Sequence, residues 1–562
     1  MHILVGPLVR AVSSTCATIW VEVSQPSLVT LLLQSPSDPD LSLTTPTIQV
    51  GTRFYAAPQL RSLRPFTWYT YKLIITTQDN HLPESTIPDD SYYFRTLPSI
   101  PANASETISP HPNAPLRIAY GSCRKLFNPA DDTLSAYGDW LLEHEAERET
   151  LWPQALLMIG DQIYADELSP FVRDAFPAGQ RVALTFADFA TLYRHAWTST
   201  TGIRQLLAHV PSFMMFDDHE ITNNWNLFSG WRARALREGQ EQLLVDGMVA
   251  YWIYQGWGNL FCDEQTQHPL LTIMQQAAQS GEDALEALRA CVREEVYGKT
   301  VLPWHYTIPT VPPIFVTNVR AERSAVFSAD EADFCASARI MSHTQMQNLH
   351  DWLQAQAQQP ALLVSSVPVL LPPLIGLLEY LMGNRPLQNS RFSLLRHLGL
   401  RIALWQLWLT RKMSFDHWPV FMDTWHELNK MVRAHHADVL VLSGDVHFSY
   451  AAVARPLWSK RRFRLYQFVC SPFENSLEAG SEQQIRLQSY LPGSIYGGLF
   501  TRTLPLQKLA PTPHIARRHL FQRAIAEVTI ELHEQGGYTA QQEYLGFVEG
   551  KFQVLARTTV AR

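Results

Sequence analysis

The sequence predicts an all-β sandwich followed by a larger α/β domain, and three observations carry that prediction. Short alternating apolar runs occupy the chain from Gly6 to about Thr96. From Pro98 to Pro115 the composition shifts to Pro, Asn, Ser and Ala with little periodicity. Beyond it, apolar strands alternate with helical stretches, and the strands run out into polar loops. At 562 residues the chain is also too long for one ordinary core, so two units are expected.

In the first region, Cys16–Val23, Leu28–Leu33 and Trp68–Ile75 alternate apolar with polar residues between clusters of Pro, Ser and Asp, the pattern of half-buried sandwich strands. The stretch after Pro98 lacks either period and reads as a linker. The second region offers strands at Leu116–Tyr120, Ala155–Ile159, Ser212–Phe216, Ile314–Asn318, Ala361–Ser365 and Val439–Leu442. Between them, Ala187–Ala208, Leu236–Tyr254, Asp283–Val296 and Thr344–Gln358 have the period of helices. An α/β domain gathers its site at strand ends.

Composition excludes some classes. A formal net charge of −7 with 17% charged residues offers no basic excess for a nucleic-acid backbone, so nucleic acid is not an obligate partner. The six cysteines (Cys16, Cys123, Cys262, Cys291, Cys335, Cys470) are scattered without CxxC pairs. Neither a zinc ribbon nor a disulfide framework is indicated, and a reducing compartment is the simpler reading. Met1 to Leu4 lead straight into a strand-like segment without the marks of a signal peptide, which points to the cytoplasm.

Two segments are unusually apolar. Ala361–Met382 carries no charge before Glu379, but Pro368, Pro372 and Pro373 favour a buried strand, a turn and an apolar helix over a membrane span. Leu400–Leu409 is rich in Leu and Trp. Together they fit a hydrophobic lid, an oligomer contact or a membrane-surface patch equally well.

Chemistry-bearing residues follow three of the strands. Ile159 leads into Gly160-Asp161-Gln162-Ile163-Tyr164-Ala165-Asp166-Glu167, Phe216 into Asp217-Asp218-His219-Glu220 with Asn223-Asn224-Trp225, and Leu442 into Ser443-Gly444-Asp445-Val446-His447. Taken singly, a Gly-Asp is a turn, an acidic run is a helix N-cap, and Cys123 after Gly121-Ser122 is a buried thiol. Taken together, oxygen and imidazole donors at several strand ends make a composite metal site.

These motifs, in this order, resemble those of the PhoD-like (alkaline phosphatase D) metallophosphatases. Ala17–Val21 and Leu63–Tyr69 are similar to that family's fibronectin-like amino-terminal domain, and Asp416-His417-Trp418 to a late Asp-x-Trp element. The resemblance covers most of the chain and is thinnest over Gly230–Arg320 and Pro368–Arg411. It implies a fibronectin-like sandwich at residues 1–98, a linker at 99–115, and a four-layer α/β/β/α catalytic domain with helical insertions at 116–562. Gly160-Asp161-Gln162-Ile163-Tyr164 also resembles the Gly-Asp-x-x-Tyr motif of the wider calcineurin-like superfamily, which includes purple acid phosphatases.

By that resemblance Asp161 bridges two metals, Cys123, Tyr164 and His447 complete the shell of the first, and Asp218 and Asp445 bind the second. Asn224 is a further candidate for metal or phosphate, with Asn223 as an equal alternative. Thiolate and phenolate suit Fe(III), and a carboxylate shell suits Ca(II), with Mn, Mg or Zn as other divalent options. His219 is the candidate to protonate the leaving oxygen or orient phosphate. The expected reaction is hydrolysis of a phosphomonoester or phosphodiester by metal-activated hydroxide, without a phospho-enzyme. Ser122 reads as a turn residue. The expected partner is a small-molecule or lipid phosphoric ester, with peripheral membrane contact and oligomeric state open. Two alternatives stand beside it: a phospholipase or phosphodiesterase working at a membrane surface, and a non-catalytic scaffold with a relic site.

Overall fold

The computed structural model describes the chain except residues 1, 36–37, 78–84, 87–90, 100–113, 228–229, 263–267, 324–338, 357–358, 385–390, 458–463, 476 and 478. Most of the expected linker therefore lies outside the described residues.

The first strands form two five-stranded sheets. One holds Ile3–Val12, Cys16–Val23, Ile48–Val50, Arg53–Ala56 and Gln59–Arg61, the other Ser27–Ser35, Asp38–Pro46, Trp68–Thr77, Ser85–Thr86 and Tyr92–Arg95. Period-two alternation explains the packing: Ile19 and Val21 point inward against Val29, Leu31, Leu73 and Ile75. The strand Cys16–Val23 is buried throughout, because its other face, with Trp20, packs against the second region. Arg10 crosses the same boundary and donates to the carbonyls of Ser212, Tyr254 and Gln255. The sandwich is thus a wall of the molecule, joined also by a Cys16–Cys262 disulfide. This pair corrects the reading of the cysteines, whose spacing gave no sign of it: its partners are 246 residues apart in sequence and meet only through the packing of the two regions.

The second region contains two facing sheets. A seven-stranded sheet runs in the order Ser212–Met215, Ala155–Ile159, Leu116–Gly121, Ile525–Leu532, Tyr538–Val548, Lys551–Ala561 and Gln507–Lys508. A ten-stranded sheet has Ile314–Val316, Ala361–Ser365, Val439–Ser443 and Leu465–Val469 side by side and parallel. Strand parity sorts the side chains. Ala155, Leu157 and Ile159 of one sheet and Leu362, Val364, Leu440 and Leu442 of the other share the core between the sheets. Leu156 and Met158 pack outward under helices, as do Leu363 and Val441 on the far side. The four-layer α/β/β/α arrangement is as expected, and every strand named in advance is present, with shorter ends at 212–215 and 314–316.

Helix boundaries needed correction. Ala187–Ala208 is two helices, Phe186–Thr198 and Thr201–His209, separated where the Thr200 hydroxyl accepts from Ile203 N as an N-cap. Leu236–Tyr254 is likewise broken, into Trp231–Arg237 and Glu241–Tyr251, at Gly239 with its left-handed φ of 80°. Ala361–Met382 is a buried strand followed by the helix Pro373–Gly383. Leu400–Leu409 lies within a 21-residue helix, Ser393–Met413. Among the described residues no helix is long and apolar enough to cross a membrane.

Candidate metal centre

The parallel strands aim their C-terminal ends at one place. Strand Leu116–Gly121 delivers Cys123, Ala155–Ile159 delivers Asp161, Ser212–Met215 delivers Asp217 and Asp218, and Val439–Ser443 delivers Asp445 and His447. Ligand atoms of Cys123, Asp161 and Asp445 lie within 4.8 Å of one another, as do those of Asp161, Asp217, Asp218 and Asp445, and those of Asp161, Asp218 and His219.

Backbone geometry marks the same residues. Among the described residues, the non-glycine positions in the left-handed region include Cys123 (φ 58°), Asp161 (φ 55°), Asn224 (φ 61°), Asp445 (φ 68°) and His447 (φ 58°). Each such conformation costs on the order of 1 kcal/mol and persists only where surrounding structure enforces it. Close approach restricts the neighbouring glycines as well. A Cβ at Gly160 would meet Asp217 Cβ at 2.4 Å, and one at Gly444 would meet Ser122 Oγ at 2.1 Å.

Hydrogen bonds hold the loops in place. The Glu220 carboxylate accepts from the backbone N–H of Asp161 (3.0 Å), Gln162 (2.7 Å) and Asp217 (2.8 Å). Ser122 Oγ accepts from Asp445 N at 2.9 Å, which makes Ser122 a brace between loops. Cys123 Sγ lies 3.5 Å from Asp161 Oδ2, and the Tyr164 hydroxyl 3.3 Å from the same oxygen. Asn475 Nδ2 donates to Tyr164 Oη at 3.0 Å and lies 3.4 Å from His447 Nε2, so it links those two side chains. The Asn224 N–H donates to Asp218 at 2.6 Å, whereas that of Asn223 donates to Asp166.

The electrostatics are those of an anionic cluster short of positive charge. Burial, with Asp217, Asp218 and Glu220 nearby, pushes the Asp161 carboxyl well above its usual range, although His219 opposes this. Burial likewise raises the Cys123 thiol and the Tyr164 phenol, and neighbouring carboxylates add to both. Arg320 is the built-in countercharge. Its guanidinium pairs with Asp217 and Asp416 and reaches Asp218 at 3.6 Å and Asp445 at 3.3 Å. Burial lowers His447 to about 4, leaving a neutral imidazole of the kind that ligates metals. Buried Arg323 also reaches Asp416, at 3.4 Å, and the carboxylates, thiol, phenol and imidazole gathered beside these two arginines are a donor set that fits bound metal.

His219 is oriented by Asp166, whose two oxygens lie 2.9 and 3.0 Å from Nδ1, and its ring stacks on Tyr164 with centroids 4.3 Å apart. Since a carboxylate only accepts, Nδ1 carries the hydrogen. His219, Asp218, Asn224, Asp445 and His447 all line a cavity of about 770 Å³. All eight site residues expected from the sequence therefore stand in this neighbourhood, Asp161 at its centre.

Others were missed. Glu220 and Asp166 stood inside the quoted motifs without a role. Asn475 follows a further apolar strand, Leu465–Val469, whose polar loop could have been read the same way. Arg320 had no signal, being one arginine where the resemblance is thinnest.

The fold is a four-layer α/β domain with a β-sandwich in front, and its strand ends carry a cluster of donors that could hold metal. Residues 119–257 match the PhoD-like phosphatase family, and residues 1–91 match a domain of unknown function, DUF7800. Among solved structures, "Structure of PhoD" superposes with a TM-score of 0.60 over 99% of this chain and 89% of that one, at 13% identity. The sensor domain of the anti-sigma factor RsgI4 in Pseudobacteroides cellulosolvens matches 19% of this chain and 87% of its own at 18% identity, but its TM-score of 0.13 is too low to bear on the fold. No curated protein matches the chain. The chain thus carries a PhoD-like phosphatase domain within a PhoD fold.

Proposed function

We propose that this protein hydrolyses phosphoric esters at a two-metal site formed by the loops described above. The observation that supports this reading best is that four strand ends bring Cys123, Asp161, Asp217, Asp218 and Asp445 together, with Cys123, Asp161 and Asp445 of that cluster, and Asn224 and His447 beside it, held in the left-handed backbone region. Cys123, Tyr164, His447 and Asp161 would hold one ion, and Asp161, Asp218, Asp445 and Asn224 the other. The thiolate and phenolate suit Fe(III), the carboxylates Ca(II) or another hard divalent ion. When bound, two cations supply Lewis acidity: they acidify water and offset charge on the phosphoryl oxygens.

The chain's own groups complete the chemistry. Arg320 lines the cavity beside Asp218 and Asp445, where it offsets their charge and that of an entering phosphoryl group. His219, with Nδ1 tied to Asp166, presents Nε2 to donate a proton to the leaving oxygen. Ser122 is absent from the cavity lining and engaged with Asp445, so attack by water without a phospho-enzyme is favoured.

The test is Asp161→Asn, assayed with iron and calcium on p-nitrophenyl phosphate and bis(p-nitrophenyl) phosphate. A neutral amide cannot serve as a bridging anion, so turnover should fall by about 1000-fold or more while the circular dichroism spectrum is kept. A folded variant with near-normal turnover would sink the two-metal reading.

A further inference from the structure

The charged and imidazole side chains that line the cavity belong to the donor cluster or adjoin it, and the remaining lining is mostly apolar. One wall is apolar, built by Leu371, Leu374, Ile375 and Leu378 at and before the helix Pro373–Gly383, and the other sets Ile485 and Leu491 among Ser481, Gln484 and Gln488. At the rim the apolar side chains Leu374, Leu378, Met413 and Leu487 line the cavity and are exposed, interspersed with exposed Asn223, Ser414, Ser481 and Gln484. A soluble protein rarely leaves so large an apolar surface uncovered around a site.

The helix Ser393–Met413 extends this surface away from the rim. It begins beyond the helix Pro373–Gly383 and is held to that helix by Gln406, whose side chain donates to the carbonyls of Leu381 and Asn384. Ala403, Gln406, Leu407 and Thr410 form its buried face. The opposite stripe carries Leu394 (81% exposed), Leu398 (49%), Trp405 (55%) and Trp408 (55%). Arg401 and Lys412 share that stripe by helical spacing and are exposed too.

Charge identifies what covers this face. Arg391, Arg396, Arg401 and Lys412 are all exposed here, and between Glu379 and Asp416 the sequence has no acidic residue, within a chain whose net charge is −7. A second copy of the chain would set these cations against each other. An anionic lipid layer would accept the Leu and Trp side chains among its acyl chains and pair the cations with its headgroups. Tryptophan at such a boundary has an apolar ring and a polar N–H to place.

We infer that the exposed face of the helix Ser393–Met413, with the exposed leucines and Met413 at the cavity rim, docks on an anionic lipid surface. The protein would lie on that surface, since none of its described helices is able to span it. Docking would set the cavity mouth against the lipid, so that a phosphoester there reaches the cavity without crossing water. That last consequence rests on the proposed hydrolysis; the docking itself does not.

Vesicle flotation of the full chain tests it without reference to catalysis. Wild-type protein should float with phosphatidylglycerol vesicles, bind phosphatidylcholine vesicles at least about tenfold more weakly, and lose most of that difference at about 1 M salt. Trp405→Glu/Trp408→Glu should weaken phosphatidylglycerol binding by about tenfold or more, and Arg401→Glu should weaken it less. All three sites are exposed, so circular dichroism should stay unchanged. Absence of flotation, or flotation that both variants leave untouched, overturns the inference. A dimer in sedimentation that the double variant dissociates, without flotation, assigns the face to a second copy instead. Protein that floats yet hydrolyses no phosphoester keeps the docking surface and sinks only the reading of the site.

Discussion

Arg320 faces four carboxylates and is almost fully buried, so its loss would leave like charges confined together in a low-dielectric place. Arg320→Ala should therefore cost metal-free protein about 3–5 kcal/mol, read as a lower urea midpoint with an unchanged slope. A midpoint within error of wild type would mean that the carboxylates are relieved by other means. Tyr164 permits a spectroscopic check of the proposed Fe(III). A phenolate and a thiolate on that ion absorb visible light by charge transfer, so iron-loaded protein should be coloured. Tyr164→Phe keeps the ring and its stacking on His219, and should shift or bleach the band. Colourless protein with a full complement of trivalent iron would contradict the ligand assignment.

Among elements, what matters is how strand-end loops are tied to one another. Glu220 does this for two of them, since a single carboxylate accepts backbone N–H groups from both the Asp161 and the Asp217 loops. Burial lifts its pKa to about 7 against the pull of those same donors. Glu220→Gln offers one oxygen in place of two and turns an NH₂ toward a backbone donor. We expect a loss of about 2–4 kcal/mol from unmatched buried groups, together with reduced metal retention, measured by urea titration and elemental analysis. Unchanged metal content would show that the loops hold their geometry without this tie. At this scale the sequence was partly legible. The strands before Asp161, Asp217 and Asp445 announced themselves by apolar runs, while the break at Ser199-Thr200 was hidden because Phe186–His209 keeps an apolar stripe through it.

Over the whole molecule, burial of histidines couples stability to pH. His519 is packed among Phe448, Tyr450 and Phe521, both ring nitrogens unpaired, and burial lowers its pKa to about 3, with Arg518 adding to the effect. His209 and His268 are lowered by burial in the same way, to about 3 and about 4. An unfolded histidine titrates near about 6.5, so the unfolded state takes up these protons first as pH falls. Their contribution is complete above about pH 6.5 and is lost below it, by up to about 1.4 kcal/mol per pH unit for each. Buried Glu22 and Glu295, raised by burial to about 7 and about 8, act in the opposite sense, so the net slope mixes both. The difference between wild type and His519→Phe isolates one group. From pH 6.5 to 4.5 the urea-derived stability of wild type should drop relative to the variant by about 2–3 kcal/mol, and parallel pH curves would show that His519 does not stay neutral in the fold.

The sequence by itself determined the order of the two regions, the strands of the α/β domain and the acidic, imidazole and thiol groups at their ends, because these are written in local periods and short motifs. The tertiary structure decided which distant groups stand together. Arg320, Asn475 and the Cys16–Cys262 pair each act across many residues of chain. No local period encodes such a contact; it exists only once the sheets have closed face to face and their strand ends share a single volume.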